Sequence, residues 1–157
     1  MSVDNVRKFF LERNMDDPVF NLDCSGATVD LASKTLGIKP EFIAKTLAFK
    51  VKERIILIVT RGNARIDNKK FKQYFKTKAK MLSFDEVEPK VGHPVGGVCP
   101  FGINNDVEVF IDESIRDFEY VYPAAGSKNV ALKITPEKMQ SLTNADWVDI
   151  STTTTTT

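Results

Sequence analysis

One segment of the sequence, residues 91–103, concentrates residue types that could bind or polarise a substrate. It holds four of the eight glycines, one of the two cysteines and the only histidine. Its density of Gly and Pro predicts a loop, and its apolar residues predict that the loop packs inward. Because glycine lets consecutive N–H groups turn toward one point, this loop could form a nest for an anion or an oxyanion. The alternative is a rigid connection in which glycine serves only for turning.

The same loop offers a second chemistry, that of a Cys–His hydrolase. Cys99 would have to be a thiolate, with His93 as a base within hydrogen-bond reach. The separation of the two residues neither supports nor excludes such a pair. Buried cysteine commonly acts as a small apolar residue, and the apolar surroundings in residues 98–101 favour that interpretation.

Cationic residues at two places could meet a phosphate or a carbonyl. Lys45 begins a predicted strand, from which it could reach into a pocket as a point charge, although a solvated lysine is the alternative. Residues 69–80 contain six lysines and no acidic residue. Four of them fall near one helical face and suit either the tracking of RNA phosphates or simple solvation: Lys69, Lys72, Lys76 and Lys80. The aromatic residues predicted to turn inward from that helix are Phe71, Tyr74 and Phe75.

The composition bounds the class of protein. The 157 residues are enough for one domain with a core, and 42% hydrophobic with 27% charged residues is typical of soluble proteins. No apolar run could span a bilayer, and residues 1–14 lack the core of a signal peptide. Two widely separated cysteines and one histidine argue against a disulfide framework and a zinc site, so we expect a reduced, cytoplasmic protein. The net charge is +1, so nucleic-acid binding would require a local patch.

Helix and strand signals alternate irregularly along the chain. A hairpin is predicted from residues 45–51 and 54–60, with the second strand central and residues 61–66 as a turn. Helices are predicted from Ser2 to about residue 13, over 29–36, from 67 or 68 to 75, from 83 to Pro89, and from 135. Further strands are predicted at 19–22, 81–82, 107–112, 119–122, 129–134 and 147–150. This mixture predicts an α+β domain with a mixed sheet over residues 1–150, and the threonine-rich residues 151–157 are expected to form a disordered tail.

Three motifs in this order resemble the YbaK/EbsC family, also called the prolyl-tRNA-synthetase-associated editing domain. They are Lys45-Thr46-Leu47, Gly-Gly-Val-Cys-Pro-Phe-Gly at residues 96–102, and Ala-Gly-Ser-Lys-Asn at residues 125–129. Residues 134–137, which open the last helix, are also similar. Each motif alone is weakly specific, but three in register over the length of one domain make a strong signal.

The resemblance implies one α+β domain with a curved mixed β-sheet or partial barrel flanked by helices. It implies a free-standing trans-editing aminoacyl-tRNA deacylase that hydrolyses the ester of a mischarged tRNA without metal or cofactor. Cys-tRNA(Pro), or a similar mischarge with a small amino acid, is the expected substrate, and prolyl-tRNA synthetase is a candidate partner. The alternative is a non-catalytic module of the same fold that binds tRNA or a synthetase.

The resemblance also implies roles for residues. Lys45 would hold the aminoacyl-adenosine end near its phosphate or ester carbonyl. Backbone N–H groups of the Gly-x-x-x-Pro loop, at Gly96 and Gly97, would polarise the substrate carbonyl, which agrees with the nest expected from the glycines. The other residues expected to line the cleft are Thr46, Val98, Cys99, Pro100, Gly126 and Ser127.

Three departures from the family pattern are present. Cysteinyl-tRNA editors of the family resemble each other in an aspartate two residues after the position of Asn129, where this chain has Ala131. Their glycine-rich turn is here Ala-Ala-Gly-Ser at residues 124–127. Cys99 stands where relatives often have serine, which weighs against a covalent cysteine. The sequence leaves the amino acid and the tRNA open.

Overall fold

The structure is a computed structural model that describes residues 2–153. Its helices are α1 (Ser2–Leu11), α2 (Val29–Leu36), α3 (Asn68–Phe75), α4 (Phe84–Val91) and α5 (Pro136–Thr143). Its strands are β1 (Phe20–Asn21), β2 (Ile43–Val51), β3 (Arg54–Arg61), β4 (Ala64–Ile66), β5 (Glu108–Asp112), β6 (Tyr122–Pro123), β7 (Val130–Ala131), β8 (Asp146–Val148) and β9 (Ser151–Thr153). Single 3-10 turns precede β2 at Pro40–Phe42 and follow β5 at Glu113–Ile115. None of the helices in the described range has the length and hydrophobicity needed to span a bilayer.

A five-stranded mixed sheet in the order β6-β2-β3-β5-β8 forms the centre of the fold. β2 and β3 are the predicted antiparallel hairpin, and the other three pairings are parallel. Residues 56–59 of β3 are fully buried, as expected of a strand that is apolar on both faces. The α+β prediction with a mixed sheet is confirmed. The order is open, because no pairing between described strands joins β6 to β8.

Side-chain caps fix where the helices begin. Thr28 accepts a backbone hydrogen bond at the start of α2, Asp67 does so at α3, and Thr135 does so at α5. Gly37 ends α2 in the left-handed conformation. All four positions follow from the sequence, because capping depends on residues that are close along the chain.

The helices bury aromatic and aliphatic faces against both sides of the sheet. Phe10 of α1 packs on Phe101 of the 91–103 loop, with 4.9 Å between ring centroids. Phe71 of α3 packs on Phe49 of β2 at 5.1 Å. The predicted loop is therefore anchored inward by its own aromatic residue, and α1 lies directly against it.

Several local predictions are wrong at the ends of elements. Residues 61–66 are not only a turn, because 64–66 form β4 and pair with β9. Residues 151–153, expected in a disordered tail, are thus a strand, and Lys70 holds it by donating to the Ser151 carbonyl. Residues 154–157 of that predicted tail lie outside the described part of the chain.

Four further elements differ from the predictions. Pro89 lies inside α4 and does not end it. The helix continues to Val91 with Gly92 as its C-cap, and the Asn104 amide donates to the carbonyls of Pro89 and Lys90. The strands predicted at 119–122 and 129–134 shorten to two residues each, and Met81 forms only an isolated bridge with Phe49.

Candidate active site

A cavity of about 330 Å³ brings together two of the predicted motifs. Lys45 and Thr46 line it from β2, and Gly96 and Val98 line it from the 91–103 loop. Helix α2, the start of α4 and residues 122–131 complete its wall. Among the described residues that line this cavity, Lys45 alone carries a charge, and most of the others are apolar.

The cavity lies along a stretch of β2 that has no neighbouring strand on its outer edge. β6 pairs only with residues 43 and 44 of β2. Residues 80–82 form hydrogen bonds with β2 only farther along the strand. There, the Leu82 N–H donates to the Ala48 carbonyl (3.1 Å) and the Lys50 N–H donates to the Lys80 carbonyl (2.9 Å). The sheet edge is therefore open at residues 45–47.

Thr46 presents polar groups to this open edge. Hydrogen-bonding direction alternates along a strand, so the N–H and C=O of Thr46 point to the same side as those of Ala48 and Lys50. The Thr46 side-chain oxygen is also buried and has no hydrogen-bond partner among the described residues. A buried hydroxyl without a partner is uncommon and indicates a place where a ligand could bond. The family resemblance implies that Thr46 lines the cleft. Only the sheet pairing reveals that its main-chain N–H and C=O are free to bond there.

Lys45 is half-buried and held in place. Its ammonium group donates to the carbonyl of Ala64 in β4. Burial, and then the positive charge of Arg65, lower the pKa of Lys45 from its ordinary 10.5. A cation that burial disfavours would gain from a negative group entering the cavity. The role of Lys45 toward a substrate remains a prediction.

The glycine loop has the turned backbone that a nest requires. Gly96 has a φ of +92°, which side chains with a Cβ rarely adopt. The N–H of Gly97 donates to the carbonyl of Pro94 at 2.9 Å and so serves the turn itself. The N–H groups of Gly96 and Val98 bond to no group within residues 2–153. The donors that could meet a carbonyl therefore include Gly96 and Val98, whereas the sequence indicated Gly96 and Gly97.

Residues 125–129 support the glycine loop from behind. The Gly126 N–H donates to the Gly97 carbonyl at 2.9 Å. A Cβ on Gly97 would lie 2.4 Å from the backbone nitrogen of Ser127, so the two backbones are in direct contact. Gly126 and Ser127 do not line the cavity, although Ala124 and Ala131 on either side of them do. Gly126 and Ser127 therefore support the glycine loop and do not form the cavity wall.

Cys99 and His93 lie close together but do not form a nucleophile–base pair. His93 Nε2 is 2.6 Å from the Phe101 carbonyl, so it carries the proton and donates, and it cannot also take one from Cys99 Sγ at 3.6 Å. Burial raises the pKa of the Cys99 thiol to about 12 and lowers the pKa of His93. Neither residue lines the cavity. The interpretation of Cys99 as a packed residue agrees with this geometry.

Replacing Cys99 by serine should therefore preserve most of the activity proposed below. Serine is close in size and can donate to the same Phe101 carbonyl. Burying its more polar hydroxyl should cost about 1–3 kcal/mol of stability. Single-turnover hydrolysis of a mischarged tRNA by the folded variant tests this expectation. A folded, inactive Cys99→Ser protein, together with an acyl-thioester trapped on the native chain, would establish a covalent mechanism instead.

Pro100 faces a different part of the surface. It lines a larger groove of about 760 Å³ between α1, residues 102–110 and the end of α5. That groove contains neither Lys45 nor Gly96. The structure thus separates Pro100 from Lys45, Thr46, Gly96 and Val98, which line the smaller cavity.

Comparison with known proteins identifies the fold that carries this cavity. The family model of the aminoacyl-tRNA editing domain matches residues 24–142, a range that includes β2, the glycine loop and the loop behind it. The chain belongs to this family. The resemblance to the YbaK/EbsC proteins is confirmed.

Two curated relatives and one solved structure match this editing domain over most of their length. YwhH of Bacillus subtilis, which is uncharacterized, is 43% identical over 152 residues, covering 96% of this chain and 97% of its own. EbsC of Enterococcus faecalis, a candidate Cys-tRNA(Pro)/Cys-tRNA(Cys) deacylase, is 28% identical and covers 80% and 77%. A crystal structure of a candidate trans-editing enzyme for prolyl-tRNA synthetase has a TM-score of 0.86 at 25% identity, covering 96% and 97%.

The lysine-rich segment of this editing domain does not form one helical face. Lys69 and Lys72 lie on α3, but Lys76 ends that helix with a φ of +63°, and Lys80 lies beyond it beside β2. The helix ends at Phe75, as predicted, so Lys76 and Lys80 cannot share a helical face with Lys69 and Lys72. Tyr74, expected to turn inward, is 47% exposed, whereas Phe71 and Phe75 are buried. All four lysines are exposed and form no ion pair within residues 2–153.

Neutralising Lys72 and Lys76 together should weaken tRNA binding and reduce its salt dependence. Each lost phosphate contact lowers the slope of log affinity against log salt by about one unit. Turnover of tRNA that is already bound should change little, because neither lysine lines the cavity. Binding titrations at several salt concentrations measure the slope. An unchanged slope would assign both lysines to solvation alone.

Proposed function

We propose that this protein is a free-standing trans-editing enzyme that hydrolyses the ester bond of a mischarged aminoacyl-tRNA. The observation that carries the proposal is the cavity, which is lined by the half-buried cation Lys45 and by Gly96 and Val98 with their unpartnered N–H groups, in a chain of the editing-domain family. These are the groups that an ester with an adjacent phosphate would engage. The match to YwhH over 97% of its length and to EbsC over 77% of its length supports action in trans.

The chemistry assigned to the cavity is attack of water on the ester carbonyl carbon. The carbonyl oxygen becomes an oxyanion, and the N–H groups of Gly96 and Val98 would donate to it. The carbon–oxygen bond to the ribose then breaks. Of the two protons of the attacking water, one goes to the ribose oxygen and the other to solvent, and the amino acid leaves as a carboxylate. Within residues 2–153, no carboxylate and no histidine lines the cavity. We therefore assign the catalytic gain to orientation and to oxyanion stabilisation, with Lys45 fixing the nucleotide end.

We further propose that the amino acid is small and uncharged, with cysteine on tRNA(Pro) as the first candidate. The cavity volume is near the lower end of the range for ligand pockets, about 300–1,000 Å³. Ala131, at the place of the aspartate in the family's cysteinyl-tRNA editors, is buried and lines the wall. This wall offers no carboxylate to pair with a charged side chain. The name of EbsC supports cysteine as the candidate.

A deacylation panel tests both levels of the proposal. The native protein is mixed with tRNA(Pro) charged in turn with cysteine, alanine, serine and proline. We expect rapid loss of a small mischarged residue, with cysteine fastest, and a stable prolyl ester. Equal hydrolysis of all four would refute the selectivity. Binding of all four without hydrolysis would refute the enzyme and support the non-catalytic module of the same fold.

A further inference from the structure

We propose that Met81 and Phe84 form a stacking platform for the unpaired 3′ nucleotides of the tRNA, with Lys78 and Lys80 along their phosphates. This inference rests on the proposed function, because it supplies the path by which the ester reaches the cavity. It also names a binding surface outside the cavity itself. The platform is defined here as residues 78–84.

The platform exposes large apolar side chains that a monomeric protein normally buries. Phe84 is 76% exposed and Met81 is 57% exposed, whereas Leu82 between them is buried. Exposed apolar patches commonly mark binding surfaces. A flat aromatic ring in solvent next to cationic side chains is the arrangement that binds nucleobases by stacking.

The platform lies at the edge of the candidate active site. Met81 lines the cavity itself, and so do Leu82 and Val87. Phe84 stands three residues before Val87 in α4, and side chains three apart in a helix share one face. Phe84 therefore lies one turn above the cavity wall, where a nucleotide attached to the bound ester would pass.

The start of α4 is braced, so the backbone that carries Phe84 lies on a rigid turn. The Ser83 N–H and hydroxyl both donate to Glu86 Oε1 at 3.0 Å, which completes a capping box. Lys90 donates to the other Glu86 oxygen at 2.7 Å. A preorganised backbone loses less conformational freedom on binding than a mobile one, which favours a role in recognition.

The positive charges beside the platform favour RNA over a protein as its partner. Along residues 76–80 the side chains alternate, with the three lysines exposed and Thr77 and Ala79 turned inward. Lys78 and Lys80 form no ion pair with a described residue, and no acidic residue occurs between 68 and 84. Cations next to stacking surfaces suit a single strand, whose phosphates and bases alternate in the same way.

The test compares two RNA probes. One is a tRNA acceptor minihelix with its unpaired 3′ nucleotides, and the other is the same duplex cut blunt. In fluorescence anisotropy the native protein should bind the intact probe more tightly. Phe84→Ala should weaken that binding about tenfold and leave the blunt probe unchanged, whereas Phe84→Trp should bind as the native protein does. Tyr120→Ala is the matched control, because Tyr120 is an exposed ring beside Lys133 that lies outside the cavity lining.

Equal binding of the intact probe by the native protein and Phe84→Ala would overturn the platform. So would an equal loss on both probes, because it would indicate contact with the duplex. If the platform instead docks a protein partner, Phe84→Ala would leave the affinities for both RNA probes unchanged. That outcome is the equal binding named above and would overturn the platform. Because binding is measured without hydrolysis, a native protein that shows the expected RNA pattern but no deacylation would refute the proposed function alone.

Discussion

Lys45→Ala should reduce hydrolysis of a mischarged tRNA by about 100-fold or more, to near the uncatalysed rate. Lys45 is the only charged group among the described residues that line the cavity, so nothing there can replace it. The fold should survive, because the variant loses one hydrogen bond to the Ala64 carbonyl, worth about 1 kcal/mol. Single-turnover rates at saturating enzyme, with circular dichroism melts, measure both effects. Full activity in the folded variant would remove Lys45 from the site.

A pH profile separates the charge of Lys45 from its shape. The lowered pKa means that Lys45 loses its proton below the ordinary value of 10.5, and the cation is the form assigned to substrate binding. After subtraction of uncatalysed hydrolysis, kcat/KM should fall as the pH rises toward that value. Arginine stays charged throughout this range, so Lys45→Arg should keep part of the activity with a flat profile. A falling profile in both proteins would point to another group.

Gly96→Val should lower the hydrolysis rate about 100- to 1,000-fold, which corresponds to about 2.7–4 kcal/mol of lost transition-state stabilisation. The backbone φ of +92° is strained for valine, and its Cβ would lie 3.3 Å from the Cβ of Ala27, which also lines the cavity. Both effects move the Gly96 N–H away from the position that an oxyanion requires. Single-turnover hydrolysis by the folded variant measures the loss.

Gly37→Val is the matched control for backbone strain. Gly37 has a φ of +68° at the end of α2, and a Cβ there would meet open space. Both valine variants should lose stability because valine is forced into the left-handed region. Only the Gly96 variant should lose activity. Comparable activity losses in the two proteins would mean that strain, and not the oxyanion donors, explains the result.

The features that the sequence predicts well depend on residues that are close along the chain. The hairpin of β2 and β3 and the caps at Thr28, Asp67 and Thr135 are examples. The glycine loop is another, because the density of Gly and Pro excludes regular structure. The resemblance to the YbaK/EbsC family implies that Lys45 and Gly96 belong to one site, and in the structure both line the same cavity.

The features that the sequence misses depend on distant pairing. Residues 151–153 look like a low-complexity tail until β4 supplies a strand edge, on which threonine is a favourable residue. The polar groups of Thr46 become visible only when the gap between β6 and residues 80–82 is known. The assignment of the Gly97 N–H to Pro94 likewise depends on the path of the loop, which composition does not specify.

The backbone contact between the two small-residue loops has a consequence for large-scale mutagenesis. Gly97 packs against residues 126 and 127, and Gly126 packs in turn against the backbone of Ser2 in α1. In a saturation scan scored by editing activity, both positions should reject every replacement, although neither touches the cavity. A parallel score for cellular abundance should fall at these two positions and hold at Thr46, whose side chain has no partner to lose. Only the two scores together would distinguish the residues that build this site from those that bind its substrate.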